Sequence, residues 1–128
     1  MNHTLATLLT AVVLFAGAFQ VQADEIVSAG SFAGHSDHET SGAGSIIRDK
    51  DGKYFVVLGD DFSLDGAPDP RVGLGKDGYQ ASTDLGKLQR KNGKQVYAIP
   101  ASIDPNEFNE IWIWCKRFSV GLGVAKLS

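Results

Sequence analysis

Apolar residues in this chain fall into short runs separated by turns. After residue 23, runs of roughly four to eight residues rich in Val, Ile, Phe, Tyr and Trp alternate with glycine-rich segments. Runs of this length are typical of strands, because helices need a longer periodic segment. The pattern predicts an all-β fold of about seven to nine short antiparallel strands, arranged as a β-sandwich or a partly open barrel.

Two hairpins follow from the turn residues. Residues 44–48 are expected to pair with residues 53–59 across a turn in which Gly52 takes a positive φ. A strand within residues 79–88 is expected to pair with residues 95–99, because the Asn-Gly pair at 92–93 is a strong hairpin signal. The remaining strands are predicted at residues 30–34, 71–75, 110–115 and 118–127.

One short helical turn is predicted at residues 104–109. Asp104 can accept a hydrogen bond from the first turn, Pro105 has the φ that the first helical position needs, and Glu107 favours the same end. Phe108 is expected to hold this turn against the core.

The first 23 residues have the pattern of a signal peptide. Residues 5–19 form an uncharged apolar run of about fifteen residues, shorter than the roughly 20 that span a bilayer. A small-x-small cleavage pattern ends at Ala23. We therefore expect a signal helix over residues 1–23 and a single domain over residues 24–128. The mature protein is expected to be secreted or periplasmic and to have no membrane span.

The charge pattern excludes one class of partner. The net charge is −3, and positive and negative residues are mixed along the chain. A nucleic-acid-binding protein usually carries a basic stripe, and none is present here. We therefore predict no nucleic-acid partner.

Cys115 is the only cysteine, so no disulfide can form within the chain. It can be a buried apolar residue, an intermolecular partner or a reactive thiol. Strand alternation over residues 110–115 places Cys115 on the face of the isoleucines and places Trp112 and Trp114 on the opposite face. Lys116 and Arg117 follow directly, and nearby cations favour a thiolate.

A second candidate site lies at residues 35–39. His35, Asp37 and His38 carry the imidazole and carboxylate groups that bind transition metals, and a histidine can be an axial ligand of haem. The alternative is a solvated polar turn, which we favour for His35, whereas His38 is the better candidate ligand. Four carboxylates at residues 60–69 lack the spacing of a helix-loop-helix calcium site and indicate a polar turn.

Several redox sites are excluded by composition. With one cysteine, the chain has no Cys-x-x-Cys pair and no Cys-x-x-Cys-His motif for covalent haem attachment. Met1 is the only methionine, so a blue-copper site with an axial methionine is excluded.

Three stretches together resemble one protein family. They are Gly30-Ser31-Phe32 leading to residues 38–42, residues 62–69 followed by residues 71–74, and Ile99-Pro100 leading to Trp114-Cys115-Lys116-Arg117-Phe118-Ser119-Val120 and residues 123–125. In this order they resemble the DM-thirteen domain, an electron-transfer module found in exported bacterial proteins and animal cell-surface proteins. The resemblance implies a β domain whose redox cysteine is Cys115 and whose histidine is His38. Leu122 stands where the family often has phenylalanine.

Two hypotheses about function remain open from the sequence. In the first, the domain is an extracytoplasmic redox module, with Cys115 acting as a naked thiol or, with His38, as a ligand of a transition metal or haem. Trp112 and Trp114 then cover the site, and the partner is an unknown redox or cell-surface protein. In the second, the domain is a non-catalytic binding module that uses residues 34–41 and 60–71, and Cys115 is a buried structural residue.

Overall fold

A computed structural model of the protein describes residues 24–128, so the signal helix predicted over residues 1–23 lies outside the described residues. The described part is all-β, as predicted, with nine strands and two short 3-10 turns, at Ala81–Thr83 and Pro105–Glu107. The strands are β1 (Glu25–Gly34), β2 (Thr40–Ser41), β3 (Ala43–Arg48), β4 (Tyr54–Leu58), β5 (Ser63–Leu64), β6 (Pro70–Gly75), β7 (Gln95–Ile99), β8 (Glu110–Cys115) and β9 (Val120–Lys126).

Seven of these strands form one antiparallel sheet that curls into a nearly closed barrel. Their order is β6-β8-β9-β1-β3-β4-β7, so the two edges are β6 and β7. Residues 84–88 run along the β6 edge, where the Leu85 N–H donates to the Val72 carbonyl at 2.7 Å and the Leu88 N–H donates to the Pro70 carbonyl at 2.8 Å. This segment covers an edge that is otherwise unpaired. Of the two arrangements expected from the sequence, a β-sandwich and a partly open barrel, the structure has the barrel.

Inward-facing residues of the strands form one core. Alternation along β8 explains the arrangement, because Ile111 and Ile113 are fully buried on one face while Trp112 lies on the other. The largest fully buried side chains include Phe62, Ile46, Leu58, Leu74, Ile111, Ile113 and Leu122.

The predicted turn near Asp104 is confirmed as a 3-10 turn at Pro105–Glu107. Asp104 accepts a hydrogen bond from the Asn106 N–H at 3.0 Å, and proline occupies the start of the turn. Phe108 packs against the core, as expected.

The predicted hairpin between residues 79–88 and 95–99 is wrong. Residues 79–88 make only isolated bridges, and β7 pairs with β4. The hydroxyl of Thr83, buried in this segment, accepts from the Leu74 N–H at 2.8 Å and lies 2.6 Å from the Gln80 carbonyl, which replaces a strand ladder by a compact turn. Gly93 does take a positive φ of 92°, but its N–H donates to the Phe62 carbonyl.

One end of the barrel is closed by a two-stranded ribbon of β2 and β5. Gly34 at the end of β1 and Ile113 near the end of β8 both pair with Gly123, so the carboxyl ends of β1 and β8 meet there. We call this end, where β8 finishes at Cys115, the cysteine end. Within residues 24–128 no helix is long and apolar enough to cross a membrane.

Candidate functional site

The Cys115 side chain lies inside the barrel at the cysteine end. Only 1% of the residue is exposed, and it belongs to the apolar core cluster. Its pairing partners are Pro70 on β6 and Val120 on β9. Pro70 fits this place because β6 is an edge strand, where proline is tolerated. Lys116 and Arg117 lie beyond the strand and are exposed.

The β2–β5 ribbon encloses this end of the core. Thr40 is buried, and its hydroxyl donates to the Leu122 carbonyl at 2.8 Å. Leu64, its partner across the ribbon, belongs to the same core cluster as Cys115. Gly123 provides the space for Thr40, because a Cβ atom at Gly123 would lie 2.5 Å from the Thr40 Cβ. The ribbon therefore covers the core beside Leu122 and Gly123 on β9.

His38 lies on the outer side of the ribbon and pairs with Asp65. The His38 Nδ1 is 3.0 Å from the Asp65 Oδ1, and the Glu39 N–H donates to the other carboxylate oxygen at 3.1 Å. The hydrogen bonds from His38 and the Glu39 backbone lower the pKa of Asp65. A polar hollow of about 440 Å³ opens here, lined by Gly34, His38, Glu39, Thr40, Ser41, Ser63 and Asp65. Cys115 does not line it.

His35 and His38 point to different neighbours because the chain turns sharply between them. Ser36 and Asp37 both have positive φ, 54° and 63°, and the His38 N–H donates back to the His35 carbonyl. The His35 ring contacts Trp112, with ring centroids 5.2 Å apart, whereas His38 contacts Asp65. Asp37 is exposed on the turn.

Cys115 has no set of neighbouring side chains of the kind that holds a metal ion in the part of the chain that the structure describes. Within residues 24–128, no three His, Cys, Asp or Glu side chains come together in a group that could hold a metal ion. Cys115 itself is buried within the apolar core cluster.

A cluster of aromatic rings covers the outer face of β8, behind Cys115. The Tyr79 and Trp114 rings are stacked, with centroids 4.5 Å apart and planes at 14°. Trp114 meets Trp112 edge to face at 6.3 Å, and Trp112 meets His35 at 5.2 Å. We call Tyr79, Trp114, Trp112 and His35 the aromatic cluster. Trp114 directly precedes Cys115, so the cluster and the thiol lie on opposite faces of one strand.

Glycines on the neighbouring strands make room for these rings. A Cβ atom at Gly73 would lie 2.5 Å from the Tyr79 ring, and one at Gly121 would lie 2.7 Å from the Trp112 ring. Both positions face outward, where any larger side chain would lift the rings off the sheet. The rings therefore lie directly on the backbone of β6 and β9.

Glu110 fixes the orientation of Trp112. This residue is only 7% exposed, and one carboxylate oxygen accepts both the Trp112 indole N–H at 3.0 Å and the Gly78 N–H at 2.9 Å. A hollow of about 410 Å³ lies beside them, lined by His35, Asp77, Gly78, Glu110, Trp112, Val124 and Lys126. Glu110 therefore links the aromatic cluster to the loop that carries Tyr79.

The phenol of Tyr79 resists ionisation. Burial raises the pKa of Tyr79 to about 12, the Asp84 carboxylate adds to this increase, and Arg71 opposes it. Because the unfolded chain ionises near pH 10, we expect the fold to lose stability as pH rises from about 10 to about 12. Burial also raises the pKa of Tyr97. Absorbance titration of the folded protein should therefore show a late tyrosinate transition whose amplitude is smaller in the Tyr79→Phe variant. A transition near pH 10 for Tyr79 would contradict this contact.

The sequence predicted Trp112, Trp114 and Cys115 on the correct faces of β8, but it missed three partners. Tyr79, Glu110 and Thr40 reach the site through contacts between distant segments, and no local motif marks them. For Tyr79, the signal that could have been used is Gly73, because an outward-facing glycine in a strand often marks a close approach.

Comparison with known proteins identifies one family. A family model described as electron transfer DM13 matches residues 31–127, which include the whole of β2 to β9. No curated protein and no solved structure gives a significant match to the chain.

Proposed function

The chain belongs to the DM13 electron transfer family, and we propose that it acts outside the cytoplasm as a redox module whose redox-active group is the Cys115 thiol. The family gives the chain a redox-related role. The finer assignment, to one sulfur atom and one compartment, is supported by the features below.

The burial of Cys115 supports electron transfer over contact chemistry. A thiol reagent, a disulfide of a partner protein or a metal ion must touch the sulfur atom, and a residue that is 1% exposed is out of their reach while the barrel is closed. An electron can cross a few ångströms of packed protein without such contact. The family match is the observation that carries the redox role, and the burial of Cys115 limits that role to electron transfer without contact at the sulfur atom.

The proposed reaction balances without a bound cofactor. The Cys115 S–H group gives one electron to an oxidised one-electron acceptor at the surface, and its proton passes to water when the barrel opens locally at this end. The acceptor is thereby reduced, and a sulfur-centred radical remains. One electron from a donor and one proton from water restore the thiol. Since no second cysteine exists in the chain, the radical has no intramolecular disulfide to form.

The placement outside the cytoplasm is supported by the residues before the domain. The apolar run and small-x-small pattern in residues 1–23 are typical of an export signal. The partner is then a redox protein of the periplasm or the cell surface.

One-electron photo-oxidation of the purified protein tests the role of Cys115. We expect a ruthenium(III) tris-bipyridine oxidant, generated by a light flash, to produce a sulfur radical that paramagnetic resonance detects after rapid freezing. The variants Cys115→Ala and Cys115→Val bracket the side-chain volume, and neither should give this signal. The proposal fails if the folded wild type is oxidised elsewhere and all of its Cys115 thiol remains after denaturation and alkylation.

The burial of Cys115 also supports the second candidate, a binding module with a structural cysteine. An apolar hollow of about 580 Å³ on the outer face of β3, β4 and β7 favours this candidate, because Ile26 and Val96 are exposed there. If cells that carry Cys115→Ala or Cys115→Val in place of the wild type show no loss of the protein's function, a binding role is favoured over electron transfer.

A further inference from the structure

We propose that Trp114 and Tyr79 form an electron relay between Cys115 and the protein surface. This inference rests on the redox role proposed for Cys115 and adds two residues to it. Indole and phenol rings are, after the thiol, the side chains that most readily give up one electron. A buried thiol can exchange electrons with an external partner only through the groups that lie between them.

The position of Trp114 makes it the first step of the relay. It precedes Cys115 on β8, so one peptide unit joins the two residues. Trp114 is partly exposed, whereas Cys115 is buried. The tryptophan therefore spans the distance from the barrel wall to the outer surface.

The stacked contact makes Tyr79 the second step. Its ring lies 4.5 Å from that of Trp114 and nearly parallel to it, which places the two π-systems in face-to-face contact. Tyr79 is itself partly exposed, so a partner can reach it. Trp112 contacts Trp114 only edge to face at 6.3 Å and is 6% exposed, so it lies beside the route.

The backbone beneath Tyr79 and Trp114 allows closer contact than is usual for aromatic side chains on a protein surface. Gly73 lies under the Tyr79 ring, where even a methyl group would come within 2.5 Å of it. Arg71, opposite Trp114, is held by Asp69 at 3.0 Å and lies 3.6 Å from Asp84. Gly73 thus lets the Tyr79 ring lie close to the sheet, and the two ion pairs hold Arg71 and its carboxylate partners beside the rings.

Electrons and protons balance along this route. The oxidised surface acceptor takes one electron from the Tyr79–Trp114 pair, and the Tyr79 phenol proton passes to water. The Cys115 thiol then supplies an electron to the pair and releases its proton to water when the barrel opens locally, while the phenol oxygen regains a proton from water. The sum is one electron from the thiol to the acceptor and one proton to water.

Time-resolved flash oxidation with the same ruthenium(III) oxidant tests the relay. In the wild type, we expect a short-lived aromatic radical followed by the sulfur radical of Cys115. In Trp114→Phe and Tyr79→Phe, the sulfur radical should form about tenfold more slowly, equal to about 1.4 kcal/mol in activation free energy. In Cys115→Ala, the aromatic radical should persist. The variant Tyr54→Phe is the matched control, because Tyr54 packs against the core outside the aromatic cluster and should leave the rate unchanged.

The outcomes separate the two proposals. If the sulfur radical forms at the wild-type rate in both ring variants, the relay is wrong and the role of Cys115 stands. If an aromatic radical forms at Tyr79 or Trp114 in the wild type and no sulfur radical follows, the redox role of Cys115 is wrong. Thermal unfolding of each variant establishes that the barrel is intact. A different replacement at the same position, Trp114→Tyr, should form the sulfur radical faster than Trp114→Phe because it provides an oxidisable ring.

Discussion

Replacing Gly123 with alanine is expected to expose Cys115 to thiol reagents without unfolding the barrel. The new Cβ atom would lie 2.5 Å from the Thr40 Cβ and 2.6 Å from both its Cγ2 and Oγ1. Threonine is stiff at χ1, and the hydroxyl of Thr40 is tied to the Leu122 carbonyl, so the side chain has no low-energy way to move aside. The β2–β5 ribbon must therefore shift away from the cysteine end.

The expected change in the reactivity of Cys115 follows from the free-energy cost of overpacking. An extra carbon in a filled core typically costs about 1–3 kcal/mol. If the closed position of the ribbon loses about 2 kcal/mol of stability, the fraction of molecules with the ribbon open rises about 30-fold. Alkylation of Cys115 should accelerate by about the same factor. The measurement is the alkylation rate of Cys115 in the folded protein, followed by mass spectrometry.

Val124→Ala provides the matched control for this variant. Val124 is the next residue on β9, but it pairs with Trp112 on the outer face and does not face Thr40. Its substitution should leave the alkylation rate near that of the wild type. If Gly123→Ala lowers the unfolding temperature but leaves Cys115 as slow to react as before, the ribbon does not guard the thiol.

The strands of the seven-stranded sheet and the facing of Cys115 could be predicted because they depend on local pattern. The hairpin of β3 and β4 follows from two apolar runs around Gly52, and alternation along Glu110–Cys115 places the sulfur inward. These features need only the two-residue period of a strand and the conformational freedom of glycine at a turn.

The rest of the site could not be predicted because it depends on contacts between distant segments. The β2–β5 ribbon has two residues in each strand, too short for any periodic signal. Residues 79–88 carry apolar residues at strand-like spacing, yet the Thr83 hydroxyl satisfies the Leu74 backbone and bends the segment into a turn. This turn brings Tyr79 onto Trp114, so the same hydrogen bonds that defeat the strand prediction create the stacked pair.

Replacing Glu110 with alanine is expected to lower the free energy of unfolding by about 3 kcal/mol. Hydrogen bonds to a charged group contribute about 1.5–3 kcal/mol each, and Glu110 accepts two. The substitution leaves two N–H donors without their acceptor, those of the Trp112 indole and the Gly78 backbone. Trp112 is nearly buried, so water cannot fully replace the lost carboxylate. Chemical denaturation followed by tryptophan fluorescence measures the change.

Two further variants show whether the carboxylate oxygen itself is responsible. Glu110→Gln keeps an oxygen acceptor in the same place and should lose less than half as much stability as Glu110→Ala. Glu107→Ala removes an exposed carboxylate from the neighbouring turn and should change stability by about 0.5 kcal/mol or less. Because Glu110 also joins the Gly78 loop to Trp112, its loss should loosen Tyr79 from Trp114 and slow the formation of the Cys115 radical. Equal stability in Glu110→Ala and Glu110→Gln would show that the two hydrogen bonds do not hold the aromatic cluster in place, and the relay would then depend on the glycine contacts alone.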